Sequence, residues 1–194
     1  MEAELVASGK RTIRGKTLDF ASGRPLPNLS CQAAPYVAGA RSPVVVPGSI
    51  FSNDQGAFEL VDMPASDLYM WCNGDGAMRG GVARMPSDLG DKVITVWGLD
   101  ARGKKPLDVK ALGLTMADDH PFSRQVAVVE PKGAAERAGV RVGDVFESIS
   151  GRPLAEVGNG VVRNYLGLLL TTHKRVPFVM TRGATVVPLV FALE

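Results

Sequence analysis

The side chains with most capacity for chemistry in this chain are two histidines, two cysteines and a few clustered carboxylates. Asp118-Asp119-His120 sets two carboxylates beside an imidazole, the materials of an oriented general base. It stands directly before Pro121, and no Gly-x-Ser-Gly or Gly-x-Ser-x-Gly nucleophile elbow occurs anywhere in the sequence. The group therefore reads as a solvated loop. His173-Lys174-Arg175 reads as a polar turn after a helix. Cys31 and Cys72 have neither CxxC nor zinc-ligand spacing. Asn53, Asp54 and Glu59 are too few oxygens for a hard cation and suit a turn instead. No glycine-rich phosphate loop is present. The expectation is no catalytic residue, no metal, no cofactor and no enzyme.

The bulk of the sequence narrows the classes further. The chain has 194 residues and a net charge of +2, enough for one domain or two small ones. Residues 1–100 carry 9 Lys+Arg against 11 Asp+Glu, and residues 101–194 carry 13 against 9. That tilt, without any basic run longer than a pair, is too weak for a nucleic-acid surface. Apolar stretches such as 166–170 are too short to span a bilayer. The opening MEAELVASGKRTIRG has acids where a signal peptide needs bases and has no apolar core. Either the protein is cytoplasmic, or a signal or anchor lies upstream of this sequence. Any membrane association is expected only through such a segment.

The elements that must position these residues are mostly strands. Short Val/Thr/Phe/Leu runs punctuated by 22 Gly and 13 Pro predict strands over 11–19, 29–37, 43–51, 57–62, 68–73, 77–84 and 92–98. Their spacing predicts a mainly β fold whose first part is an antiparallel β-sandwich. Residues 99–110, polar and broken by Gly103 and Pro106, read as a connection. Beyond it the pattern predicts strands over 111–116, 125–130, 144–149, 176–182 and 185–192. Helices are expected over 133–138 and 160–170.

In the first half, SGRPLPNLSCQA (22–33) places a turn before a strand in which Leu29, Cys31 and Ala33 share a face. Asn53-Asp54-Gln55-Gly56 makes a hairpin turn, after which Phe58 and Leu60 point one way and Ala57 and Glu59 the other. The pieces 13–15, 23–29, 54–60 and Met63-Pro64-Ala65 together resemble the carboxypeptidase regulatory-like family, a transthyretin-like β-sandwich, over residues 10–99. Ser66-Asp67 departs from the glycine usual there. The resemblance implies an accessory domain without catalytic groups. Leu68, Met70 and Cys72 share a face as Leu29 and Cys31 do, so both sulfurs point into one core. Two readings stay open: buried free thiols, or a Cys31–Cys72 disulfide in an oxidising compartment.

In the second half, Val126–Val129 leads to Pro131, a small-residue helix over 133–138, a stop at Gly139, and a corner at Gly143-Asp144 into Val145–Ile149. The phrase VVEPKGAAERAGVRVGDV resembles a PDZ domain of the bacterial type found in HtrA-type proteases, site-2 proteases, tail-specific proteases and the type II secretion inner-membrane component. It covers residues 107–194, with 100–106 as linker. The fold implied is a partly open β-barrel with two helices.

What the resemblance implies is peptide binding by strand addition. Leu112, Gly113 and Leu114 would form the carboxylate-binding loop, and Leu114, Thr115 and Met116 the pairing edge. N–H groups around Gly113 and Leu114 would cradle a carboxylate, and the helix would present Val161, Tyr165 and Leu168 to the groove. Val162, Leu166, Leu169 and Leu170 would face the core. The implied protein is a non-catalytic adaptor or scaffold of the bacterial cell envelope, periplasmic or otherwise extracytoplasmic. Its partner would be the C-terminal tail or an extended segment of an envelope or secretion protein. Two other readings remain: the substrate-recognition portion of a larger protease, or a structural module whose groove is filled by its own C-terminus (191–194), by the sandwich or by a neighbouring subunit.

Overall fold

The computed structural model describes residues 9–35, 49–75 and 78–192, and the chain divides into two compact units, Met1–Asp100 and Ala101–Glu194. Parts of the strands expected over 29–37, 43–51 and 77–84, and the tail residues 193–194, lie outside the described residues.

Among the described residues, the regular elements of the N-terminal unit are strands. Its strands are β1 (Lys10–Asp19), β2 (Ser30–Ala34), β3 (Ser49–Phe51), β4 (Ala57–Pro64), β5 (Leu68–Asn73), β6 (Met78–Arg79), β7 (Val82–Met85) and β8 (Ile94–Asp100). They form two four-stranded sheets, β4-β1-β8-β6 and β3-β2-β5-β7. The fold is mainly β, as expected, but it is not wholly antiparallel. β1 runs parallel to β8, with Gly15 opposite Ile94 and Asp19 opposite Gly98. The alternation in each strand sends Ile13, Phe58, Leu60 and Val96 from one sheet, and Leu29, Cys31, Met70 and Met85 from around the other, into a single core.

Cys31 and Cys72 stand directly opposite each other on β2 and β5, both fully buried, and are joined by a disulfide with Cα atoms 4.0 Å apart. The Asn53 turn is closed by its own side chain. Asn53 Oδ1 accepts the N–H groups of Gln55 and Ala57, each at 2.9 Å, while Glu59 pairs with Arg14 at 3.3 Å. The Asn53 and Glu59 oxygens considered for a cation are thus engaged within the hairpin and across to β1.

The C-terminal unit holds β9 (Leu114–Met116), β10 (Val126–Val129), α1 (Ala134–Arg137), β11 (Val145–Ile149), β12 (Arg152–Pro153), α2 (Asn159–Thr172), β13 (Arg175–Arg182) and β14 (Thr185–Ala192). β9 pairs with β10, and a second sheet has the order β12-β11-β13-β14. A bridge between Gln125 and Val145 links the two sheets without closing a barrel. Phe146, Phe178 and Phe191 fill the core, the last two stacked with ring centroids 4.3 Å apart. Phe191 is locked in β14 opposite Val176. A tail folding back from Phe191 into the groove is therefore excluded for that residue, whose ring is fully buried in the core.

Residues 111–112 do not extend the strand. Val109–Leu112 is a 3-10 helix, capped by the Asp108 side chain and ended by Gly113 in the left-handed region at φ 71°. β9 starts only after it. The segment resembling the PDZ phrase packs as small residues allow. A Cβ on Gly133 would stand 3.0 Å from the carbonyl oxygens of both Glu130 and Leu112, so the start of α1 sits against the 3-10 turn. Asp144 does more than turn a corner. It is 1% exposed and accepts the Arg141 N–H at 2.9 Å and the Arg182 guanidinium at 2.8 and 2.7 Å. Arg182 also donates to the Gly139 carbonyl at 2.8 Å, which ties the β13–β14 turn to the end of α1. The Arg182 hydrogen bonds, with the Arg141 N–H, hold the Asp144 carboxyl below the usual carboxylate range against the opposing effect of burial.

Candidate functional site

β9 is the short strand on which the expected binding residues converge. The side chains of Leu112, Leu114 and Met116 are 1–2% exposed and belong to the core, and Thr115 is half-buried. What β9 offers outward is main chain. Gly113 C=O accepts the Glu130 N–H and Ala117 N–H donates to Gln125 C=O, each at 2.8 Å, while Thr115 pairs with Val128. Alternation then turns the N–H and C=O groups of Leu114 and Met116 to the opposite edge, where no strand is paired among the described residues.

Helix α2 lies alongside β9, tied to the chain on both sides of it. Beyond the strand, Asn159 Nδ2 donates to Asp118 Oδ1 at 3.0 Å, Asn159 N–H donates to Pro121 C=O at 2.8 Å, and Arg163 pairs with Asp118 at 3.8 Å. Before it, Leu107 N–H donates to the Gly167 carbonyl at 3.2 Å. The Leu107 backbone crosses the helix so closely that a Cβ on Gly167 would stand 2.0 Å from the Leu107 oxygen. A glycine in the middle of a Leu-rich helix is costly. It is the one sequence signal that could have located this crossing.

The residues of the expected groove triplet are buried. Val161 is 1% exposed and Tyr165 and Leu168 are each 5% exposed, so these side chains face the core with Val162, Leu166 and Leu170. The partly exposed positions between 160 and 170 are Gly160, Arg163, Asn164 and Leu169, the last of which was expected to face the core. A Cβ on Gly160 would meet nothing within 4 Å. The carboxylate loop also differs from expectation. Gly113 N–H does not point outward but donates to Lys110 C=O at 2.9 Å.

The histidines hold local structure. His120 Nδ1 accepts the Phe122 N–H at 3.1 Å, and His173 Nδ1 lies 2.7 Å from the Thr172 hydroxyl. Among the described residues, no three His, Cys, Asp or Glu side chains cluster as metal ligands would.

No protein-family model matches the chain. No curated protein matches it either. Among solved structures, a 9R-lipoxygenase from Cyanothece PCC8801 superposes at TM-score 0.33 and 13% identity, over 68% of this chain and 21% of that one. The serine endoprotease from Yersinia pestis superposes at TM-score 0.36 and 12% identity, over 91% of this chain and 65% of that one. The chain thus spans less than two thirds of either protein, and neither likeness carries an argument about function.

Proposed function

We propose that this chain is a non-catalytic adaptor whose C-terminal unit is a PDZ-type module, taking an extended segment of a partner protein as an added strand along β9. The observation that carries the reading is the outward edge of β9. Two main-chain donor–acceptor positions, Leu114 and Met116, stand beside a helix that is open at Gly160. An added strand would satisfy them as a sheet neighbour does, and a short segment held this way binds in the low micromolar range, about −8 kcal/mol. The accompanying sandwich is read as the carboxypeptidase regulatory-like accessory domain. The buried Cys31–Cys72 disulfide supports an extracytoplasmic, cell-envelope setting, because such bonds persist in oxidising compartments.

The test is peptide selection on the whole chain, followed by the Gly160→Trp variant. The indole would fill the open space beside α2 without touching the core. Wild type should enrich peptides from a random display library, and Gly160→Trp, with unchanged circular dichroism, should bind them at least about tenfold more weakly. Equal binding by both proteins would sink the proposal.

A further inference from the structure

We infer that the segment taken up along β9 is an internal stretch of the partner, recognised through its main chain, and not a free C-terminus. This rests on the strand-addition reading above and narrows its ligand class. A terminal carboxylate is held by several N–H donors converging on one point. In the turn before β9 three such donors, Gly113 N–H among them, are already in use. Lys110 N–H donates to Asp108 Oδ1 at 3.0 Å, Ala111 N–H to Asp108 C=O at 2.9 Å, and Gly113 N–H to Lys110 C=O at 2.9 Å.

The turn is also pinned in place. Gly113 sits at φ 71°, its carbonyl holds the Glu130 N–H, and its backbone abuts Gly133 at the start of α1. Turning the Gly113 N–H outward would break its bond to Lys110 and press the loop into Gly133, whose own Cβ position is already 3.0 Å from Leu112 C=O. Along β9 itself the open side presents Leu114 N–H, then Met116 N–H two residues on. Two donors at alternate positions along a strand make a ladder, which a peptide backbone fits and a single carboxylate does not.

The experiment uses the whole chain and two random nonapeptide display libraries, one ending in a free carboxylate and one continued by a fixed Gly-Ser tail. Selected peptides are then measured by fluorescence anisotropy as free acid, C-terminal amide and tailed forms. The inference expects enrichment from the tailed library and affinities of the three forms within about threefold of one another. Enrichment from the free-carboxylate library alone, or a loss above about tenfold on amidation, would overturn it while leaving strand addition standing. No enrichment from either library would overturn both.

Discussion

The β9 and β14 edges of the C-terminal unit are built in opposite ways. The β9 edge is three residues long, in a segment tied to α2 before and after the strand, with the N–H groups of Leu114 and Met116 outward. The β14 edge is eight residues long. Pro177 C=O accepts the Ser150 N–H, so the main chain of Pro177 and its alternates faces β11, and the intervening residues bond β14. The main-chain groups of Val186, Pro188 and Val190 then point to the free edge of β14. Pro188, in the middle, has no N–H to give. Val186 is 65% exposed and Val190 36%, so without the proline this edge would be a long apolar template for another chain. The comparison teaches which edge is guarded: the long one is interrupted at its centre, and the short one keeps its donors.

The largest effect should come from Gly167→Ala, which attacks the seating of α2 beside β9. The new Cβ would collide with the Leu107 carbonyl, and backbone cannot swing aside as a flexible side chain can. A loss of about 3 kcal/mol is expected. It should appear as a lower urea midpoint followed by helical circular dichroism, which among the described residues arises from α1 and α2 of this unit. An unchanged midpoint would mean that Leu107 does not hold the helix there, and the β9 side of the comparison would lose its wall.

Asp144→Asn tests the other side, because Asp144 anchors the turn that leads into β14. Removing the carboxylate leaves Arg182 without its charged partner and should cost about 2 kcal/mol. The pH dependence follows from the direction of its shift. The folded-state carboxyl lies below its unfolded value of about 3.9, so its stabilisation is fully present above that value and disappears as pH falls through the folded-state one. Wild type should therefore lose stability in acid more steeply than Asp144→Asn. Parallel acid profiles for the two proteins would remove Asp144 as the source.

How much of this was legible in sequence depends on the range of the forces involved. Strand alternation is local, so the buried faces at Leu29–Ala33, Phe58–Leu60 and Leu68–Cys72 follow from period two. So does the end of α1 at Gly139, at φ 86°, follow from a local preference. The parallel pairing of β1 with β8 joins residues about eighty apart, and nothing local encodes it. The same holds for Asp144 with Arg182, 38 residues apart. The groove side of α2 was not legible for a different reason. Apolar residues at 161, 162, 165, 166 and 168–170 cover more than half the helix circumference, so periodicity alone does not choose the groove side. The glycines at 160 and 167 mark where the helix is open and where backbone crosses it.

That pair yields a smaller effect of opposite sign. Gly160→Ala adds a methyl group into open space at a helical position and should stabilise the unit by about 0.5–1 kcal/mol. The variant should still bind the selected peptides, since alanine barely narrows the space that tryptophan would fill. A lowered urea midpoint would show that the space beside Gly160 is occupied, and the β9 edge would then be no more accessible than that of β14.

The smallest change in folding is expected from Pro188→Thr, which bears most directly on the comparison. Threonine suits an exposed strand, and its restored N–H points away from β13, so stability should stay within about 0.5 kcal/mol. Association should change instead. With Val186, the introduced threonine and Val190 all offering main-chain donors, two copies could pair edge to edge in antiparallel fashion. Sedimentation velocity should detect a concentration-dependent dimer in Pro188→Thr that the wild type lacks. The peptide affinity of each variant monomer should not move, because β14 and β9 belong to different sheets. If Pro188→Thr stayed monomeric at millimolar concentration, the proline would not be the guard. The open β9 edge could then no longer be singled out by the absence of a guard.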